Sequence, residues 1–427
     1  MTLAGTGSIP TDADAACEES PVLPGAPLHI CLVSQEFPPS TARGGIGTQT
    51  YLKAHGLAAL GHSVRVISRS NDAERHEYFD GPVHVIRVPG MDHQFGIHTT
   101  IADWVTYSAS VASAIAASHE ASPIDIIDFP EWGCEGFVHL LNRSQWNSIP
   151  TVIHLHGPLV MFGHKIGWPE LESEFFRTGT AMEGACLRMA DRIFSSSDCS
   201  RDWCAREYGI DAANVPTIHT GVDVELFRPL GGSGSEQLTI VFVGNLSLNK
   251  GVGVLADAAL RLVLEFPSLR VKLLGSPKPD LAESLRERAA ACGVPNLFDF
   301  LGFVDRNDVP RHLSAADVFA APSCYEGGPG FVYLEAMACG IPVIACSGSG
   351  SSEAVVDGET GLLVPPNDSG ALVTALRRLL SDTALRQSMG QRGRAEVLRR
   401  ADSRKCIRDI EAFYAQTVAT LRSQGER

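Results

Sequence analysis

Nowhere does this 427-residue chain carry the ~18 continuous apolar residues a membrane-crossing helix needs, so no integral membrane segment is expected. The amino terminus has no basic start and no apolar core behind it, so it does not read as a targeting leader. There is no Cys-x-x-Cys pair. The eleven cysteines are scattered and odd in number, which argues against a disulfide framework and fits reduced core thiols of a cytoplasmic protein. Positive charge is scarce, 35 Lys and Arg against 49 Asp and Glu. A net charge of −14 argues against nucleic acid as the main partner, because phosphate backbones need a cationic surface. A small phosphorylated ligand on a local cationic site stays open, as does peripheral membrane contact.

What is there points to an α/β protein of two domains, since 427 residues exceed one ordinary core. Residues 1–25, rich in small and polar types, are expected to form a disordered tail. Behind them Leu28-His-Ile-Cys-Leu-Val-Ser34 reads as a buried strand. A glycine-rich turn follows, then a helix from Thr48 to Leu60 with Leu52, Gly56, Ala59 and Leu60 on one face and Gly61 as its cap. Strands are expected at 64–67, 83–86, 124–127 and 151–155, with helices at 100–118 and 170–190. The segment 227–237, Phe-Arg-Pro-Leu-Gly-Gly-Ser-Gly-Ser-Glu-Gln, marks a flexible boundary. The alternation then restarts, with strands at 238–244, 271–274, 298–301, 318–320, 343–345 and 362–364. We expect two facing Rossmann-like domains, 26–228 and 236–402, with ligands in the cleft beyond the strand ends. The last segment, 403–427, carries Ile407, Ile410, Tyr414, Val418 and Leu421 on one helical stripe and is expected to pack on a domain surface.

Four constellations carry chemistry. Gly44-Gly-Ile-Gly47 lies between the first strand and a helix; it suits either a phosphate-approach loop or a plain tight turn. Val243-Gly-Asn-Leu-Ser-Leu-Asn-Lys-Gly251 occupies the equivalent place in the second half. There Lys250 can neutralise a pyrophosphate, or be an ordinary solvated lysine. His154-Leu-His156-Gly157 closes a strand, where a histidine can serve a sugar hydroxyl or developing charge; a packed histidine is the other reading, and no acidic or cysteine cluster nearby suggests a metal. In Tyr325-Glu-Gly-Gly-Pro-Gly-Phe331, Gly327, Gly328 and Gly330 let backbone amides approach an anion. The following helix turns its positive end toward that anion. Glu326 in the loop and Glu335 in the helix can each accept hydrogen bonds from vicinal hydroxyls.

Together these segments resemble the family 4 retaining glycosyltransferases of GT-B fold, over most of residues 28–390. The most specific stretch is Pro322-Ser-Cys-Tyr-Glu-Gly-Gly-Pro, Leu334-Glu-Ala-Met-Ala-Cys-Gly-Ile-Pro-Val343, Glu353 and Asp357-Gly-Glu-Thr-Gly-Leu-Leu-Val-Pro365. Ile218-His-Thr-Gly-Val-Asp223 with Phe227-Arg-Pro229 is similar to the family's approach to the interdomain linker. The resemblance implies transfer of a sugar from a nucleoside diphosphate sugar to an acceptor hydroxyl, with retention and with neither metal nor cofactor. It implies that Glu335 binds ribose, that Glu326 holds the transferred sugar, and that Gly328, Gly330, Phe331 and Val332 present amides to phosphate. Lys250 would pair with the diphosphate, Gly45 would bring up the first domain's backbone, His156 would sit by the reacting carbon, and Val304 would line the base pocket. Asn245 stands where family members commonly carry arginine, so Lys250 or another cation such as Arg43 must serve the diphosphate alone. The two glutamates are nine residues apart, where the family usually has eight. A nucleotide-sugar epimerase, a sugar phosphorylase and a non-catalytic nucleotide-sugar binding protein are the competing readings. Acceptor contacts are expected from loops near 90–110 and 157–170. Met161-Phe-Gly-His-Lys-Ile-Gly-Trp168 suits either a hydrophobic acceptor or membrane edge, or ordinary loop packing.

Overall fold

The computed structural model describes residues 26–39, 45–90, 99–144, 148–231, 237–276 and 279–425. The expected tail at 1–25, Arg43, Gly44, residues 91–98 and residues 232–236 of the expected linker lie outside the described residues.

The apolar runs of the first half form seven strands: β1 (His29–Val33), β2 (Ser63–Arg69), β3 (His76–Asp80), β4 (Val83–Val88), β5 (Ile126–Pro130), β6 (Thr151–Leu155) and β7 (Arg192–Ser195). They make one sheet in the order β3-β4-β2-β1-β5-β6-β7, parallel except for β3. β5 and β6 are buried along their whole length, which is why they read as mostly apolar runs, broken only by Asp128 in β5 and by Thr151 and His154 in β6. The second half gives β8 (Thr239–Val243), β9 (Arg270–Leu274), β10 (Phe298–Gly302), β11 (Val318–Ala320), β12 (Val343–Cys346) and β13 (Gly361–Val364). This second sheet is wholly parallel, in the order β10-β9-β8-β11-β12-β13. Two strands were not anticipated. β3, His-Glu-Tyr-Phe-Asp, is a polar, mostly exposed edge strand, and β7 is only four residues long.

The order of each sheet reverses once. In the first sheet the chain moves one way from β1 to β2 and the other way to β5. In the second it moves one way from β8 to β9 and the other way to β11. Loops leaving the carboxyl ends of the two strands at such a reversal diverge and leave a crevice between them.

The chain crosses between the sheets twice, side by side. Val222 pairs with Asp402 in an isolated bridge, its N–H 2.8 Å from Ala401 O and its carbonyl 3.0 Å from Ser403 N. Gly221, at φ 76°, has no room for a side chain, because a Cβ would lie 2.8 Å from Ser403 N and Cα.

After the second crossing, the helix Ser403–Gly425 returns to the first sheet. Ile407, Ile410, Tyr414 and Val418 are buried as the stripe requires, joined by Phe413, in one cluster with Leu57, Val83 and Phe194. They pack on the helix Gly45–Ala59, whose buried face is a correction to the expectation. Gln49, Thr50, Lys53, Ala54 and Leu57 are buried, while Ala59 and Leu60 are exposed. The polar residues win the inner face because Lys53 Nζ and Tyr414 Oη both donate to Asp128 Oδ2, so one buried carboxylate ties three elements together. Gly56 permits the close crossing, since a Cβ there would lie 2.9 Å from Ile407.

Candidate active site

The reversal point of the second sheet is built by two loops, one leaving β8 and one leaving β11. They are laced by backbone. Cys324 N–H donates to Asn249 O at 3.1 Å, and Gly251 (φ 78°) packs so closely on Pro322 that any Cβ would collide with its carbonyl. That contact brings the sequence-distant Lys250 and Glu326 together, with Nζ 2.7 Å from Oε1 and both side chains partly buried. Both expected residues therefore occupy the crevice, and they are each other's partner there.

Behind Glu326, Gly330 turns the chain at φ 71° into the helix Phe331–Ala338. The first-turn amides of Phe331 and Val332 lie at its positive end, and Gly328 precedes them in the turn. Glu335 is buried inside this helix. Arg306, from the loop after β10, places Nη1 2.7 Å from Glu335 Oε1, off the angle of a hydrogen bond. Burial pushes the Glu335 carboxyl up and the guanidinium opposes it. The Arg306 guanidinium lies over the Phe227 ring at 4.9 Å. Nothing in the local sequence singles out Arg306; it becomes visible only once β10 and that helix are adjacent.

At the ends of β8, β9 and β10, Gly244, Gly275 and Gly302 stack backbone on backbone. Gly275 N–H donates to Gly302 O at 2.7 Å, and a Cβ on Gly275 would collide with Gly244 O. The result is a flat floor, edged by the exposed Asn245 and the half-buried Val304.

The first sheet supplies the opposite wall. His156 follows β6 and is buried, with Nδ1 lacking a hydrogen-bond partner. Burial, and after it the charge of Lys53, hold its pKa well below the ordinary histidine value, so the ring is neutral. Its neighbour His154 lies 3.9 Å away, ring to ring, and 3.3 Å from Lys53 Nζ, a cationic setting rather than a metal-binding one. Among the described residues no three His, Cys, Asp or Glu side chains group as a metal site. Gly45 opens its helix with free space where a Cβ would be, whereas a Cβ on Gly47 would lie 2.8 Å from Glu36 Cβ.

The two walls touch. A Cβ on Gly327 would strike His156 O and lie 2.7 Å from Gly157 Cα. Ser197 Oγ and Ser200 Oγ, at the start of the helix Asp198–Tyr208, both donate to Gly327 O at 2.6 Å. Glu353, from the second domain, accepts from Asp198 N–H at 3.0 Å and Cys199 N–H at 2.7 Å, a carboxylate at a helix N-terminus. Met161–Ile166 is part of a helix, Leu159–Ile166, and not a free loop; Phe162 packs on Tyr325 at 4.5 Å between ring centroids and on Trp132 at 5.0 Å. Trp168 beyond it is half exposed.

One further residue escaped the sequence reading. Glu131, directly after β5, accepts from the His156 N–H at 2.7 Å and from the Gly157 N–H, and so fixes the turn that meets Gly327. Burial raises its carboxyl to about 7. Its signal was a carboxylate at a strand's carboxyl end, in Pro130-Glu-Trp, which a surface loop would explain equally well.

Comparison with known proteins adds the following. The family profile described as Glycosyl transferases group 1 matches residues 223–396, and that described as Glycosyl transferase 4-like domain matches 44–221. The two meet where the chain first crosses between the sheets. A D-inositol 3-phosphate glycosyltransferase of Streptomyces bingchenggensis is 31% identical over 325 residues, spanning 72% of this chain and 70% of that protein. A glycogen synthase of Mycobacterium tuberculosis is 27% identical, covering 93% of this chain and 94% of its own. Among solved structures, sucrose-phosphate synthase from Thermosynechococcus elongatus superposes with a TM-score of 0.79 at 24% identity, covering 92% of this chain and 99% of that one. Anabaena HepE, in complex with UDP and glucose, superposes with a TM-score of 0.69 at 22% identity, covering 91% of this chain and 100% of its own.

Proposed function

This chain belongs to the group 1 glycosyltransferases and is a glycosyltransferase of GT-B fold, and on that premise we propose that it moves a sugar from a nucleoside diphosphate sugar to an acceptor hydroxyl with retention. The observation that carries the proposal is Lys250 held 2.7 Å from Glu326 under a glycine-rich turn, at the reversal point of the second sheet. An ammonium there meets the charge that grows on the leaving diphosphate as the glycosidic bond breaks. The helix-end amides of Phe331 and Val332 add to it. Glu326, released from Lys250, accepts hydroxyls of the transferred sugar, and Glu335 accepts those of the ribose. Gly45 brings the first domain's backbone to the phosphates, and Val304 and Asn245 edge the nucleoside floor.

The transition state is oxocarbenium-like, as in other glycosyl chemistry. The acceptor attacks from the face of the leaving group, a phosphate oxygen takes its proton, and neutral His156 stands by the reacting carbon as a hydrogen-bonding group. Neither a metal ion nor a cofactor enters this step; the lysine and the amides supply the positive charge. The relatives named for D-inositol 3-phosphate and for glycogen differ in acceptor, one phosphorylated and one a neutral polysaccharide, so neither acceptor is carried over.

A thermal-shift screen against UDP-, GDP-, ADP- and dTDP-sugars tests the donor half, because a ligand that binds only the folded state raises its stability. Stabilisation by none of them would refute the proposal.

A further inference from the structure

The crevice of the first sheet opens between β1 and β5, and carboxyl groups line it. Glu36 follows β1, while Glu131 and Glu135 follow β5. The turn between the last two is tightly coiled, with Gly133 at φ 74° and Cys134, a non-glycine residue, at φ 50°. A left-handed residue that is not glycine costs energy and is found where the surroundings impose it, often at a binding site. Here the coil buries both glutamates, each 1% exposed. Glu135 Oε1 accepts from Gln35 N–H at 3.0 Å, and Glu131 Oε1 holds the 156–157 turn. The second oxygen of each, Oε2, is buried with no hydrogen-bond partner.

Two further unpartnered groups lie at the turn that Glu131 holds. Tyr325 reaches over from the second domain. Its hydroxyl is buried and unpartnered, and lies 3.0 Å from where a Cβ of Gly157 would be, on the turn that Glu131 holds. His156 Nδ1, also unpartnered, belongs to that turn. Buried polar atoms left without partners are rare in folded proteins and mark where a ligand or water completes the set. Among the described residues, the cations around this crevice are already committed. Arg69 is paired with Asp103 at 2.8 Å. Lys53 is on Asp128, and Arg87 is spent on Tyr78 Oη and the carbonyls of Phe37 and Arg69.

We propose, resting on the transferase reading above, that the acceptor is an uncharged polyol whose hydroxyls complete Glu131, Glu135 and Tyr325, and that a phosphate monoester is excluded there. A hydroxyl both donates and accepts, so it satisfies a carboxyl group in either protonation state. A phosphate would be buried against carboxyl groups with no uncommitted cation among the described residues to pair it. Burial raises Glu131 to about 7 and Glu135 to about 8, the latter also raised by the charges of Glu36 and Glu131, so a further negative charge is disfavoured there.

The test offers the full-length enzyme, with the donor found by thermal shift, two acceptor pools: myo-inositol, glucose and glycerol, and the monophosphate esters of the same three. Product from the neutral pool and none from the phosphate pool supports the proposal; product from the phosphate pool at equal or greater kcat/KM overturns it. If neither pool gives product, calorimetric titration of glucose 6-phosphate into the enzyme filled with the donor's nucleoside diphosphate decides. Binding about tenfold tighter in the Glu131→Gln/Glu135→Gln variant than in wild type supports charge exclusion. Equal affinity, including no binding in either, overturns it. Donor binding is read without any acceptor, so failure of the transferase reading is seen separately.

Discussion

Lys250 Nζ stands 2.7 Å from Glu326 Oε1, so the cation suited to a diphosphate and the carboxylate suited to a sugar neutralise each other. In the proposed mechanism a donor must part them and give each a new partner. Lys250→Ala is expected to lower kcat by about 10²–10³-fold, the range seen when one preorganised donor to a developing anion is removed. Because Glu326 then loses its partner too, Lys250→Ala/Glu326→Ala should cost less than the product of the two single losses. Steady-state transfer kinetics on the three variants checks both statements; wild-type turnover in Lys250→Ala removes the lysine from the mechanism.

Arg306 opposes the effect of burial on Glu335, so its removal moves the carboxyl further up. Arg306→Ala should therefore weaken donor binding, and more so as pH falls, because the protonated carboxyl has lost an acceptor for the ribose. The donor KM is measured across pH for both proteins. An unchanged KM at every pH would show that Glu335 does not hold the ribose.

Gly327→Ala puts a methyl group against His156 O and Gly157 Cα, between the domains rather than inside either. Each domain core is expected to keep its thermal stability, while the pair is held apart and turnover falls at least about tenfold, in keeping with misplacement of reacting groups. Small-angle scattering should show a larger radius of gyration. A compact particle with normal activity would mean the seam yields.

Three carboxyl groups buried in the first domain make stability pH-dependent. Burial, the largest cause for each, raises Glu131 to about 7 and Glu135 and Glu183 to about 8, against a usual 4.5. The hydrogen bonds from His156, Gly157, Gln35, Leu159 and Tyr208 only partly offset it. The folded state thus holds protons that the unfolded chain has released, and stability falls as pH rises from 4.5 to about 8. The slope is at most about 1.4 kcal/mol per pH unit for each group. Thermal unfolding across that range should show a falling Tm, with the fall reduced in Glu183→Gln. An identical slope in the variant would mean that Glu183 is ionised in the fold.

The fold was legible where burial on both faces leaves a mostly apolar run, as in β1, β5, β6 and β8. It was not legible in β3, whose His-Glu-Tyr-Phe-Asp lies on an edge and obeys no core pattern. The first helix misled because its inner face is polar: Lys53 is buried for Asp128, a partner 75 residues away. In the site, Lys250, Glu326 and Glu335 could be read because they sit at fixed places around glycines and a helix start. Arg306 owes its position to a contact between distant segments, which no local spacing encodes; Glu353 stood in the family-like stretch, but its hold on the amides of Asp198 and Cys199 was not legible there. Glu131 had a local cue, but only the amides of His156 and Gly157 give it a task.

The returning helix also constrains how the protein is made. Leu57, Val83 and Phe194 wait for Ile410, Tyr414 and Val418, residues that are synthesised after the whole second domain. During translation the first domain therefore stays an unfinished core, with a greasy face open, until residues 403–425 have been made. Truncation before Ser403 should leave not a shorter enzyme but a sticky one.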